Sequence, residues 1–245
     1  MWLGVLALLG VWLAGIALVA TIRFGGLSEG FRAGPAWWPG PAGGTAALLV
    51  LALAFLIQGG TEEWIVRGYI YHALRERWRW WIAALASSLL FSLLHAFNPD
   101  VSGVALANIV IAGFVLAELV ERSGSLWGAV WAHGAWNFAV ACLLSLPVSG
   151  FRMFRLLDLS ITGSPVLTGG GFGPEGSLLL TGLGLLLAWL LWPPRRAEEV
   201  VSIPESGSAP AAHVEHDLAE DAAPGEGLVG LGRPLEGNDA VEDRA

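Results

Sequence analysis

Three polar clusters interrupt otherwise apolar stretches of this chain: Glu62-Glu63-Trp64-Ile65-Val66-Arg67, Phe91-Ser92-Leu93-Leu94-His95 and His133-Gly134-Ala135-Trp136-Asn137. Their side chains are the parts of a hydrolytic site. A carboxylate can take a proton from water, a neutral imidazole can hold that water or a metal ion, and an amide can donate to an oxyanion without adding charge. Spacing sharpens the reading. Neighbouring residues on a helix point about 100° apart, so Glu62 and Glu63 can flank one cavity but cannot share one direction. Arg67 stands four residues beyond Glu63, on the same face and placed for an ion pair. His133 and Asn137 are also four apart and stack on one face of their helix. A lone buried histidine such as His95 is usually a hydrogen-bonded core residue, but this one comes third in a set that already holds a base, a second imidazole and a neutral donor.

The clusters matter because of the solvent around them. The 245 residues are 55% hydrophobic and 14% charged, with 13 Trp, and the mean hydropathy is +0.62. Such a chain is an integral membrane protein. An ionisable side chain at membrane depth costs at least about 2.5–3.5 kcal/mol, so it is normally there for a function. The net charge of −8 is uneven: residues 195–245 hold 12 acids and 4 arginines, whereas residues 1–194 hold 9 of each. A neutral body with an acidic end has no basic patch for nucleic acid. The single Cys142 excludes an internal disulfide and any multi-cysteine metal site.

A helix needs roughly 17–25 apolar residues to cross a hydrocarbon core. Six segments meet or approach that length, at about 2–22, 44–60, 80–97, 101–120, 125–148 and 176–193, which predicts an all-α polytopic bundle. The first has no basic n-region and no convincing cleavage site, so it is expected to stay as a helix. The second run continues through Gly59-Gly60 into the Glu-Glu cluster, and is expected to remain helical to about Leu74 with its polar half buried in protein. Three parts follow: an N-terminal helix and loop at 1–44, a helical body at 45–194 and an acidic tail at 195–245. The tail is rich in Ala, Pro, Gly and acids, too poor in apolar area to offset its chain entropy, and is expected to be disordered. His213 and His216 within it read as solvated residues. Arginine counts in the short loops run about six to four in favour of cytoplasmic termini.

Between the fifth and sixth spans, Phe151, Phe154 and Leu157 recur at helical spacing with Arg152 and Arg155 between them, as in a short interfacial helix or an amphipathic connector. Pro174 and Glu175 suit the first turn of the last helix, with Glu175 as its cap. His72 reads as interfacial, Glu118 as a headgroup-boundary residue and Asn108 as interhelical glue.

Taken in order, Glu-Glu-x-x-x-Arg, Phe-x-x-x-His and His-x-x-x-Asn on three apolar segments resemble the type II CAAX prenyl endopeptidase or bacteriocin-processing family of intramembrane proteases. The likeness covers about residues 45–192, with Arg67-Gly68-Tyr69 and the loop Thr168 to Glu175 also similar to bacterial members. Val66 departs from the pattern, where an aromatic residue commonly precedes the arginine. The resemblance implies an all-helical protease of a bacterial inner membrane, hydrolysing a prenylated, leader-type or membrane-associated peptide. It implies Glu62 as general base or metal-side carboxylate, Glu63 as a second acid paired with Arg67, His95 and His133 as ligands or water-holders, and Asn137 as an oxyanion or ligand partner. Zinc held by Glu62, His95 and His133 would leave the open fourth position that metalloproteases use. The same residues could instead position water directly. Two other classes use comparable parts: a non-catalytic membrane scaffold or immunity protein, and a proton-coupled transporter, although the internal repeat expected of the latter is not found.

Overall fold

The structure is a computed structural model that describes residues 2–192. The acidic tail expected over 195–245, with His213 and His216, lies outside the described residues. Helices appear where the apolar runs placed them: α1 (Trp2–Val19), α3 (Pro41–Glu63), α5 (Trp80–Leu94), α6 (Gly103–Ser123), α7 (Trp127–Phe138) and α9 (Leu178–Leu191), with the short α2 (Glu29–Ala33), α4 (His72–Arg75) and α8 (Pro165–Thr168) between them. Pro41 begins α3 at the position where a missing N–H costs nothing. Ser102 caps α6 by accepting from the backbone N–H of Ala105, and Gly124 ends it in the left-handed region at φ 66°.

The second apolar run behaves as its sequence predicts. After Glu63, α3 passes without a break into a π-helical turn, Trp64–Tyr71, and then into α4. Pro41–Arg75 and Gly103–Ser123 are each long and apolar enough to cross a membrane, and Trp80–Leu94 and Leu178–Leu191 are shorter apolar helices. On α3, Leu49, Leu53 and Ile57 recur every four residues and stay largely exposed. An outward apolar stripe of that kind suits lipid and not water.

One expectation for the connections is decided and another corrected. Of the two readings of the segment from Phe151 to Leu157, the connector holds and the helix does not, and Leu157–Thr162 is a strand, β2, pairing antiparallel with β1 (Thr21–Leu27) from Thr21↔Thr162 to Leu27↔Leu157. The molecule is therefore mostly helical with a two-stranded ribbon, not purely α. The alternation in Leu157-Asp158-Leu159-Ser160-Ile161-Thr162 provides the strand pattern, and a bulge between Phe24 and Leu27 absorbs Gly25-Gly26. Periodicity within the loop could not reveal a partner more than a hundred residues away. Glu175 is also not the cap of the last helix. Pro174–Gly176 form a 3₁₀ turn, and Ser177 caps α9 by accepting from the backbone N–H of Leu180. Glu118 is fully buried on α6, on the side that also buries Ala117 and Val120, and neither carboxylate oxygen has a hydrogen-bond partner in the protein.

Asn108 joins α6 to α9 as interhelical glue. Its amide nitrogen donates to the carbonyls of Glu175 (2.7 Å) and Ser177 (2.9 Å), and its amide oxygen accepts from the Thr181 hydroxyl at 2.7 Å.

Candidate active site

Small residues bring the first and third clusters together. A Cβ on Gly59 would lie 3.1 Å from the backbone nitrogen of Gly134, and one on Gly134 would lie 3.0 Å from the Cα of Leu56. This closeness of α3 and α7 carries His133 onto the Glu62-Glu63 pair. Gly113 on α6 serves Arg67 in the same way, because a Cβ there would sit 2.7 Å from Arg67 Nη2. The π turn begins immediately after Glu63, a placement common at functional sites. A second π segment, Ala139–Leu143, follows closely on Asn137.

Glu63 is fully buried, and its Oε1 accepts from Arg67 Nη1 at 2.9 Å and from His133 Nδ1 at 2.9 Å. A carboxylate only accepts, so His133 donates Nδ1–H to Glu63, and its Nε2 makes no hydrogen bond among the described residues. That Nε2 lies 3.7 Å from Glu62 Oε2. Glu62 Oε2 is buried and has no hydrogen-bond partner in the protein, whereas Oε1 accepts from the side-chain amide of Gln58. Gln58 in turn accepts from Asn137 Nδ2 at 3.0 Å. The two glutamates thus take different parts. Glu63 places both its bonds, to Arg67 and His133, on Oε1 and leaves a buried Oε2 without a partner, whereas the unpartnered Oε2 of Glu62 stands beside His133 Nε2.

His95 closes α5. Its Nδ1 donates to the Phe91 carbonyl at 2.8 Å, and its Nε2 makes no hydrogen bond among the described residues. The Phe91 ring is the common neighbour: His95 packs edge-on at 4.7 Å, His133 at 5.9 Å, and the Arg67 guanidinium stands 4.6 Å above it. Phe91, His95, His133 and Asn137 line a cavity of about 600 Å³ that continues between α1, α6 and α9 along apolar residues such as Val11, Ile111, Leu183 and Leu187. A polar end and an apolar body are the features of a site for an amphiphilic ligand. His72 lies apart, its Nδ1 donating to the Arg67 carbonyl at 2.6 Å.

The expected zinc ligands do not gather as a metal centre. Among the described residues no group of three His, Cys, Asp or Glu side chains is placed to hold a metal ion. Glu62 and His133 approach each other, but His95 reaches the site through Phe91 and not through a shared ligand position. No step below is therefore routed through a metal.

Sequence reasoning missed two contributors. Gln58 was detectable in principle, four residues before Glu62 on the same helical face. Glu175 was not. Its carboxylate is buried and lines the same cavity, with Oε1 accepting from the Trp136 indole at 2.9 Å and Oε2 from the Ser149 backbone N–H at 2.5 Å. Burial pushes this carboxyl above the ordinary carboxylate range, against the pull of those donors.

Residues 44–139, which hold all three clusters, match the family described as type II CAAX prenyl endopeptidase Rce1-like. The chain is similar to that family over this segment. A Bacillus subtilis (strain 168) protein named "Putative membrane peptidase YdiL" is 28% identical over 127 residues, 52% of this chain and 48% of that protein. An Escherichia coli "Uncharacterized 24.3 kDa protein" is 31% identical over 88 residues, 35% of this chain and 40% of that protein. The match thus spans about half the length of these curated relatives or less. No solved structure matches the chain.

Proposed function

We propose that this Rce1-like chain is an intramembrane endopeptidase that hydrolyses a peptide bond of a membrane-associated, prenylated or leader-type peptide. The observation that carries the reading is the pairing of Glu62 Oε2, open and unpartnered, with the free Nε2 of His133 at 3.7 Å. Two acceptors at that separation can share one water, each taking one of its protons in a hydrogen bond. Glu62 removes a proton as the water oxygen attacks the carbonyl carbon. Asn137, which uses one amide N–H on Gln58, has its second N–H for the oxyanion. Collapse of the tetrahedral adduct breaks the C–N bond, and the proton held by Glu62 passes to the departing nitrogen. Glu63 and Arg67 keep His133 in the tautomer this needs.

The peptidase named among the relatives supports the reaction class, and the apolar body of the cavity suits a substrate that stays in the membrane. Six spans with both termini in the cytoplasm of a bacterial inner membrane complete the proposal. Zinc is the second reading, favoured by the two free Nε2 positions and the open Glu62 oxygen. It requires His95 to join Glu62 and His133 on one ion.

The test uses purified protein in lipid nanodiscs and a quenched fluorogenic peptide ending in S-farnesylcysteine and three further residues, beside an unprenylated leader-type peptide. Cleavage of either by wild type and by neither for Glu62→Gln is the expected result. Cleavage that survives Glu62→Gln would overturn it. Zinc near one equivalent by elemental analysis, with chelator-sensitive activity, would replace the glutamate-only route by the metal one.

A further inference from the structure

A carboxyl group buried in an apolar cavity is costly unless both its oxygens are engaged by donors. Glu175 lies outside the segment shared with the Rce1-like family, yet it reaches into the cavity that His95, His133 and Asn137 line. Its bonds run to two places that flank those residues. Trp136, whose indole donates to Oε1 at 2.9 Å, directly precedes Asn137 and follows His133 by three positions. Ser149, which donates its backbone N–H to Oε2 at 2.5 Å and its hydroxyl at 3.4 Å, is also held from the other side. Asn98, three residues past His95, donates to the Ser149 carbonyl at 3.1 Å.

The backbone around Glu175 is built for this contact. Gly173 has φ 99°, where side chains are strained, and a Cβ there would stand 1.9 Å from the Pro147 carbonyl oxygen. Gly150 has φ 87°, and a Cβ there would stand 2.1 Å from the Pro99 carbonyl oxygen. The loops after His95, after α7 and before α9 therefore meet backbone to backbone, and Gly150 N–H closes onto the Phe172 carbonyl at 3.0 Å. Asn108 holds the Glu175 carbonyl from below at 2.7 Å. The carboxylate cannot swing away without breaking this packing.

We propose that Glu175 is a positioning residue of the candidate site, its buried carboxylate tying the Trp136–Asn137 arm to the Ser149 loop that Asn98 anchors beside His95. The separation of the His95 and His133–Asn137 arms is then set by one side chain that hydrogen-bonds none of His95, His133 and Asn137. A catalytic role by proton transfer is a different assignment, because the carboxylate is already engaged by three donors.

The inference rests on the endopeptidase reading only for its kinetic arm. The distance arm stands alone: spin labels at Phe97→Cys, in the loop after His95, and Trp127→Cys, at the start of α7, are placed in a Cys142→Ala background. Glu175→Ala is expected to shift or broaden the label separation, whereas Glu175→Gln, which keeps an acceptor for Trp136 but sets an amide NH2 against the Ser149 N–H, shifts it less. With the farnesylated fluorogenic peptide, Glu175→Ala should lose on the order of 10²-fold in kcat with little change in KM, as misplacement of reacting groups does, and Glu175→Gln should recover part of it. If Glu175→Ala fails to fold, Trp136→Phe removes the indole donor alone and is read by the same two measurements. Unchanged distances and kcat in whichever of these folds would overturn the proposal. So would a Glu175→Gln enzyme that is dead at wild-type distances, which would make the residue a proton carrier. A wild-type protein that cleaves neither peptide would sink the endopeptidase reading and leave the distance arm to decide this one.

Discussion

Two helix pairs in this molecule are joined by buried polar groups, and they are joined in different ways. Between α6 and α9 the link is neutral: Asn108 bonds two carbonyls and the Thr181 hydroxyl, and its amide nitrogen and oxygen are both satisfied. Between α3 and α7 it is charged and incomplete: Glu63 binds Arg67 and His133, while Glu62 Oε2, Glu63 Oε2 and two Arg67 nitrogens lack partners in the protein. Where stability alone is at stake, an amide that uses its capacity is the economical solution at membrane depth. Unspent capacity in a buried charged cluster is costly, and its persistence marks a place reserved for something else.

Substitutions can break that contrast in order of size. Arg67→Ala strands the buried Glu63 and should cost about 3–5 kcal/mol, seen as low yield and early thermal unfolding in nanodiscs. A stable but inactive Arg67→Ala protein would instead move the guanidinium into the chemistry. Glu62→Gln keeps the shape and its bond to Gln58, so thermal stability should hold while turnover of the fluorogenic peptide falls by roughly 10²–10⁴ with loss of the general base. Asn137→Ala should bind peptide normally and lose about 10²–10³ in rate, with unchanged turnover reducing Asn137 to packing. The smallest effect belongs to the neutral pair. Asn108→Ala should lower stability by about 0.6–1.7 kcal/mol and lower kcat only as far as the Glu175 turn shifts with it. A larger loss than that of Arg67→Ala would reverse the comparison between the two interfaces.

Local rules read much of this molecule correctly. The apolar runs located α1, α3, α5, α6, α7 and α9 because helix length is set by consecutive residues. The continuation of the second run to Arg75 and the Glu63–Arg67 pair follow from chain continuity and four-residue spacing. Where the reading failed, the deciding partner was distant. Leu157–Thr162 became a strand because Thr21–Leu27 lay beside it, and Glu175 left its helix-cap role because Trp136 and Ser149 offered donors in a buried place.

The sequence by itself determined which residues could do chemistry, on which helices they would ride and that those helices belong in a membrane, since residue type, spacing and hydropathy are local properties. Only the tertiary structure decided how the two glutamates differ. Glu62 and Glu63 are adjacent and chemically identical, and nothing in their spacing tells them apart. The close approach of α3 and α7 at Gly59 and Gly134 brings His133 Nδ1 onto Glu63 and leaves Glu62 facing the other ring nitrogen. That difference is a matter of helix rotation and interhelical distance, quantities that arise only when the chain packs against itself.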